Sequence, residues 1–173
     1  MSGDGATFAA FFERQHADLS RLAYLLSGDA TAADNLAADA LCQVRRHWPR
    51  VGDDDPAAYA RGLVATATRD SGRRGLFGAI RRGPVPRHEV AVRRRHEVAG
   101  TEVCGALRRL PHRRRVCVVL RYAFGLTEDE VARALGISAG AARSRTSRGV
   151  RQLSELLDGT PGVARLSGWE AAR

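Results

Sequence analysis

The sequence predicts an all-α protein: two small helical domains joined by a flexible basic linker, the second holding a helix-turn-helix. Three observations predict this. Apolar residues recur at three- and four-residue steps through both halves. Gly, Pro and capping residues punctuate those runs where helices should start and stop. Between them, residues 72–100 lose the periodicity amid arginine runs. At 173 residues and 44% hydrophobic content, the chain can bury a real core in one domain or two small ones, and two is our reading.

In the first domain, residues 1–71, the residues Phe8, Phe11, Phe12, Leu19, Leu22, Ala23 and Leu26 mark an amphipathic helix that stops at Ser27-Gly28-Asp29. A second helix begins near Thr31 or Ala32, buries Leu36, Ala40, Leu41, Val44 and Trp48, and ends at Pro49. Its other side shows Asn35, Asp39, Gln43 and Arg46. A third follows Asp53-Asp54-Asp55, with Asp55 as its cap and Pro56 in the first helical position. It buries Tyr59, Leu63, Val64 and Ala67, and it exposes Arg61, Thr66 and Arg69 on the way to Arg73 and Arg74. The Asp triplet lacks further ligands at suitable spacing, so it reads as a loop supplying a cap and not as a metal site.

Residues 72–100, GRRGLFGAIRRGPVPRHEVAVRRRHEVAG, read as the linker, with a helical turn near Val90 to Val98. In the second domain, residues 101–157, Thr127 and Glu130 form a capping box at a helix start. Val131, Ala134 and Leu135 give that helix its apolar stripe, Ala132 permits a close crossing, and Gly136 suits a left-handed stop. Ser138 then caps the next helix. At about 100° per residue, Ala142, Thr146, Val150, Leu153 and Leu157 share one face of it. Ser144, Ser147, Arg148 and Arg151 share the opposite face, with Arg143 and Arg145 at the boundary. Arginine can grip phosphates or pair with guanine in the major groove, where a bidentate pair is worth about 1–3 kcal/mol of discrimination. A solvated basic face has the same composition, but cap, turn glycine, packing stripe and arginine face agree on a DNA-reading helix. The tail from Asp158 to Arg173, with Pro161 and Trp169, reads as disordered.

Charge is distributed unevenly around the net +9. Residues 1–71 hold 7 arginines against 10 acids, 72–100 hold 8 against 2, and 101–157 hold 11 against 5. A polyanion partner is therefore expected for the C-terminal half and a different kind of partner for the N-terminal half. Cys42, Cys104 and Cys117 lie in helical patterns without ligand or disulfide spacing, and three buried free thiols are expected. No stretch is long and apolar enough for a membrane span, and no signal-peptide pattern opens the chain, so no membrane insertion and a cytoplasmic location are expected. No nucleophile beside a base, phosphate loop or metal-ligand cluster is legible, and neither enzymatic activity nor a cofactor is expected.

The order of parts resembles the extracytoplasmic-function sigma factors of bacterial RNA polymerase. The resemblance rests on LSGDATAADNLAADALCQVRRHW in the first block and on Leu110-Pro111, Leu120-Arg121-Tyr122, Leu135-Gly136 and Gly140 to Arg145 in the second. It implies that the first block is region 2, which binds core RNA polymerase and the melted −10 element, and the second is region 4, which reads the −35 element of promoter DNA. By the same resemblance, Asn35, Leu36, Asp39, Gln43 and Arg46 would face polymerase, and Arg61, Thr66, Arg69, Arg73 and Arg74 the −10 region. Ser138, Arg143, Ser144, Arg145, Ser147, Arg148 and Arg151 would face the −35 element. An anti-sigma factor covering one or both regions is a further implied partner. The chain departs from the family in two strings: Asn35 to Asp39 replaces the usual D-L-[VL]-Q-E, and Gly140 to Ser144 replaces G-T-V-K-S. On the residues alone, a helix-turn-helix regulator or a polymerase adaptor without sigma activity stays open beside this reading.

Overall fold

In the computed structural model the described residues are 3–52, 54–74 and 99–157, and every regular element among them is helical. Three helices form the first unit: α1 (Gly3–Ser27), α2 (Ala30–Val51) and α3 (Pro56–Arg74), each packed on the other two. Leu19, Leu22 and Leu26 of α1 meet Leu41 and Val44 of α2 and Val64 of α3, and all six are essentially without solvent exposure. Phe8 and Phe11 close one end of this core against Trp48, each with ring centroids 5.2 Å from the indole. Phe12, expected inside, is 38% exposed and stacks on His16 instead. It lies one residue past Phe11, and that 100° step carries it off the stripe.

Helix α2 starts earlier and ends later than its sequence suggests. The Asp29 carboxylate accepts from the amides of Thr31 and Ala32 at 2.9 and 3.1 Å, so one short link both stops α1 and caps α2. Gly28 makes that link possible with φ of +76°. Pro49 does not end α2: the helix continues to Val51, and the Gly52 amide donates to the Trp48 carbonyl at 2.8 Å. Proline's fixed φ is helical, and the amide it lacks falls in the last turn, where Val51 still packs on the core. At the head of α3 the Asp55 carboxylate accepts from the Ala58 amide at 2.9 Å, as expected of a cap. The helix then runs to Arg74, so residues 72–74 are helical where linker was expected. The rest of the linker, including the turn expected near Val90 to Val98, and the tail from residue 158 lie outside the described residues.

The second unit contains α4 (Ala99–Arg109), α5 (His112–Val118), a π-helical turn (Val119–Ala123), α6 (Glu128–Leu135) and α7 (Ala139–Leu157). Helices α5 and α7 approach so closely that a Cβ on Gly149 would lie 2.6 Å from Val118 Cγ2. Gly149 is accordingly buried and Val150, expected on the stripe, is half-buried. The π turn sinks Val119 and Leu120 into the core and leaves the Leu120 carbonyl to accept the Leu126 amide at 3.2 Å. Of the three thiols only Cys117 is buried; Cys104 is half-buried, and Cys42 is exposed because it follows the inward-facing Leu41 on α2. Among the described residues no helix is long and apolar enough to cross a membrane.

Candidate nucleic-acid interface

The helix-turn-helix is built as its spacing demands. Glu130 accepts from the Thr127 amide at 2.7 Å, and the Glu130 amide donates to the Thr127 hydroxyl at 3.3 Å, which completes the capping box. The Thr127 amide first, and then the Thr127 hydroxyl, which donates to the same carboxylate at 2.9 Å, hold the Glu130 carboxyl below its ordinary pKa, with smaller help from Arg133 and Arg61. Gly136 closes α6 at φ +61°, and the Ile137 amide donates back to the Ala132 carbonyl at 3.0 Å, a Schellman stop. Ser138 accepts from the Ala141 amide at 3.3 Å and starts α7. Val131 on α6 and Ala142 on α7 are fully buried, which fixes how far α7 rotates and so which side chains it shows to solvent.

That rotation leaves Ser147, Arg148 and Arg151 exposed, with Ser144 half-buried beside them. Arg143 is exposed too, but it is tied to Glu128 of α6 at 3.1 Å. Arg145 turns aside: it is half-buried and lines a cleft with Thr66 and Arg69 of α3 and with His112 and Arg113 of α5. Ser138 is spent as the cap. On α2, Asp39, Gln43 and Arg46 are exposed and Asn35 is half-buried. Leu36 is only 6% exposed and packs in the core, so it drops out of the polymerase-facing set. Its neighbours in sequence face out because a helix separates adjacent residues by about 100°. On α3, Thr66 and Arg69 are exposed, Arg69 within 3.5 Å of Asp70, and Arg61 is half-buried. Arg73 and Arg74 lie in the last turn of α3, and their side chains are outside the described residues.

Contacts between the two units went unread in the sequence. Asp55 uses one oxygen as the α3 cap and the other to pair with Arg133 of α6 at 3.2 Å. The Thr68 hydroxyl, buried in α3, lies 3.1 Å from His112 Nε2. Burial, then the positive charges of Arg115 and Arg69, pull the His112 pKa down to about 4 against an opposing effect of Asp70, so the ring is neutral at pH 7. Arg115 donates to the Leu26 carbonyl in the last turn of α1, and to the Arg108 and Leu110 carbonyls at 2.8 and 3.1 Å. One cation thus satisfies the negative ends of two helices, α1 and α4. Burial and Arg108 lower its pKa, yet a guanidinium stays charged. Residue spacing carries no signal for such pairs, since Thr68 and His112 stand 44 positions apart.

Residues 105–153, from α4 into α7, match the family described as Sigma-70, region 4. Across 159 residues the chain is 31% identical to the ECF RNA polymerase sigma factor SigM of Mycobacterium tuberculosis, covering 91% of this chain and 80% of that one. It is 33% identical over 168 residues to the ECF RNA polymerase sigma factor SigE of Mycolicibacterium smegmatis, covering 90% of this chain and 65% of the relative. Among solved structures, CnrH in complex with the cytosolic domain of CnrY shares the fold with a TM-score of 0.69 at 23% identity, over 92% of this chain and 93% of that one. The sigma factor RpoE of Bartonella quintana, bound to the anti-sigma factor NepR, shares it with a TM-score of 0.65 at 19% identity, over 89% and 98%.

Proposed function

Because the chain belongs to the extracytoplasmic-function sigma factors and so acts in transcription initiation, we propose that α1–α3 serve as region 2 and α4–α7 as region 4, dividing the promoter between them. The single observation that carries this is the exposed face of Ser147, Arg148 and Arg151 on a helix whose cap and packing fix its rotation, inside the stretch matched to region 4. In this reading α7 enters the major groove at the −35 element, where Arg148 and Arg151 reach base edges or phosphates and Ser144 and Ser147 allow close approach. Arg143 joins them once DNA phosphate displaces Glu128. Asp39, Gln43 and Arg46 on α2 meet core RNA polymerase, and Arg61, Thr66 and Arg69 on α3, continuing toward Arg73 and Arg74, hold the melted −10 strand. Phosphate contacts of this kind position the protein, while base contacts specify the promoter.

An anti-sigma factor is a further partner in this reading, supported by the two structural neighbours, which were solved with bound partners. The protein works without enzymatic chemistry of its own and in the cytoplasm, where polymerase is found. Likeness over 91% of the chain, and not over the helix-turn-helix alone, favours a sigma factor over a regulator or an adaptor. Run-off transcription tests the reading: core RNA polymerase freed of sigma, with and without this protein, on a pooled promoter library. Discrete transcripts that depend on the protein are expected. Their absence in the presence of intact DNA binding would overturn sigma activity.

A further inference from the structure

We propose that the cleft between the two units is a binding site for a diphosphate group, held by Arg69 of α3, Arg113 of α5 and Arg145 of α7. These three arginines line one cleft of about 250 Å³ together with Thr66 and His112, and no acidic side chain lines it. Asp70 stands beside Arg69 at 3.5 Å. Among the described residues no carboxylate pairs with Arg113 or Arg145, whereas Arg133 is answered by Asp55 and Arg143 by Glu128. Arg145 is half-buried there, off the exposed face of α7, so part of its hydration is lost with no ion pair in return. His112 registers the resulting field: after burial, the positive charges of Arg115 and Arg69 are what oppose protonation of its ring.

Charge and size select the ligand. Guanidinium groups meet phosphate oxygens with paired N–H donors, and a cleft lined by one sign of charge over a low-dielectric wall focuses its field onto an anion. Here the wall is buried Ala65 and Val116. The cleft has room for about eight waters at a liquid volume of about 30 Å³ each. That is more than one phosphate needs, and it falls below the ~300 Å³ at which pockets for drug-sized ligands begin. A diphosphate, with oxygens on both phosphorus atoms, can engage three guanidiniums and the Thr66 hydroxyl together. The group is either free diphosphate or the end of a nucleotide, which present the same oxygens. Because the donors come from α3, α5 and α7, the bound anion bridges the two units and relieves the repulsion that their contact creates.

Isothermal titration calorimetry of the full chain with sodium diphosphate, in magnesium-free buffer at fixed ionic strength, tests this. One diphosphate per chain is expected, bound more tightly than sulfate. Arg113→Gln and, independently, Arg145→Gln are each expected to weaken it about tenfold, the loss of one charge-assisted hydrogen bond, with circular dichroism checking both folds. Arg14→Gln, at an exposed arginine of α1 outside the cleft, is expected to change nothing. In NMR spectra the ring resonances of His112 are expected to move with diphosphate while those of His16 and His47, which do not line the cleft, stay in place. Adenosine and guanosine diphosphates separate the two sources: tighter binding than inorganic diphosphate assigns the group to a nucleotide, and equal or weaker binding assigns it to free diphosphate. Diphosphate held no more tightly than sulfate, or weakened equally by Arg14→Gln and Arg113→Gln, would overturn the site in favour of diffuse attraction to a chain of net charge +9. Diphosphate that leaves His112 unmoved would place any binding elsewhere and overturn it too. Failure to displace a single-stranded oligonucleotide whose binding Arg113→Gln weakens would overturn it by assigning the cleft to nucleic acid. These outcomes are separable from the run-off assay, since Arg113 belongs to no surface assigned to promoter or polymerase.

Discussion

Arg148 stands at the middle of the exposed face of α7, and replacing it with alanine should weaken binding to a cognate promoter by about 1–3 kcal/mol more than binding to random duplex. Competition titrations with both DNAs check this, and equal losses would reduce Arg148 to a phosphate contact. Arg143 is in a different position, held by Glu128. Glu128→Gln should release it and strengthen binding to random duplex at low salt, read in the same titrations. His112 makes a prediction in pH. Its folded pKa of about 4 lies below the ordinary 6.5, chiefly because of burial. Between those values the unfolded chain binds a proton that the folded chain does not, so the His112 contribution to stability is complete above about pH 6.5 and is lost as pH falls toward 4. His112→Gln should flatten the fall in thermal midpoint across that window, while carboxylate effects common to both proteins remain.

At the scale of the element, α6 was legible in full. Thr127, Glu130 and Gly136 named its start and stop, and the structure places hydrogen bonds at both ends. Thr127→Ala should cost about 1 kcal/mol of stability, measured by thermal or urea unfolding. Because the Glu130 carboxyl is held below its ordinary pKa by the cap, its contribution is present at neutral pH and is lost as pH falls through the lowered value. The exposed side of α7 was legible for the same kind of reason: a helix under one rotation rule needs only its buried stripe to fix the rest. Elements set by tertiary packing were not legible. The π turn has a sequence, Val119 to Ala123, that continues a helical pattern without a break. Pro49 reads as a stop although the last turn of α2 tolerates it. Gly149 carries no apolar signal, yet it sits on the buried stripe because Val118 needs the space. Leu36 was drawn into the polymerase-facing set by its place in a string, and its own hydrophobicity put it in the core.

Across the whole molecule, the excess of arginine lies in residues 72–157, 19 against 7 acids, while residues 1–71 are net acidic. Affinity for duplex DNA should therefore fall steeply with salt, with a log-log slope of about −0.9 for each phosphate neutralised. A salt series by fluorescence anisotropy reads the slope, and a flat response would contradict contact through arginine. The two halves that carry these charges belong to one chain and touch through Asp55 and Arg133, Thr68 and His112, and Arg115 and Leu26, so their contact has a consequence for concentration. An equilibrium within one molecule does not depend on how many molecules there are. Dilution alone therefore parts none of these contacts, and a competing binder must supply the free energy to part them.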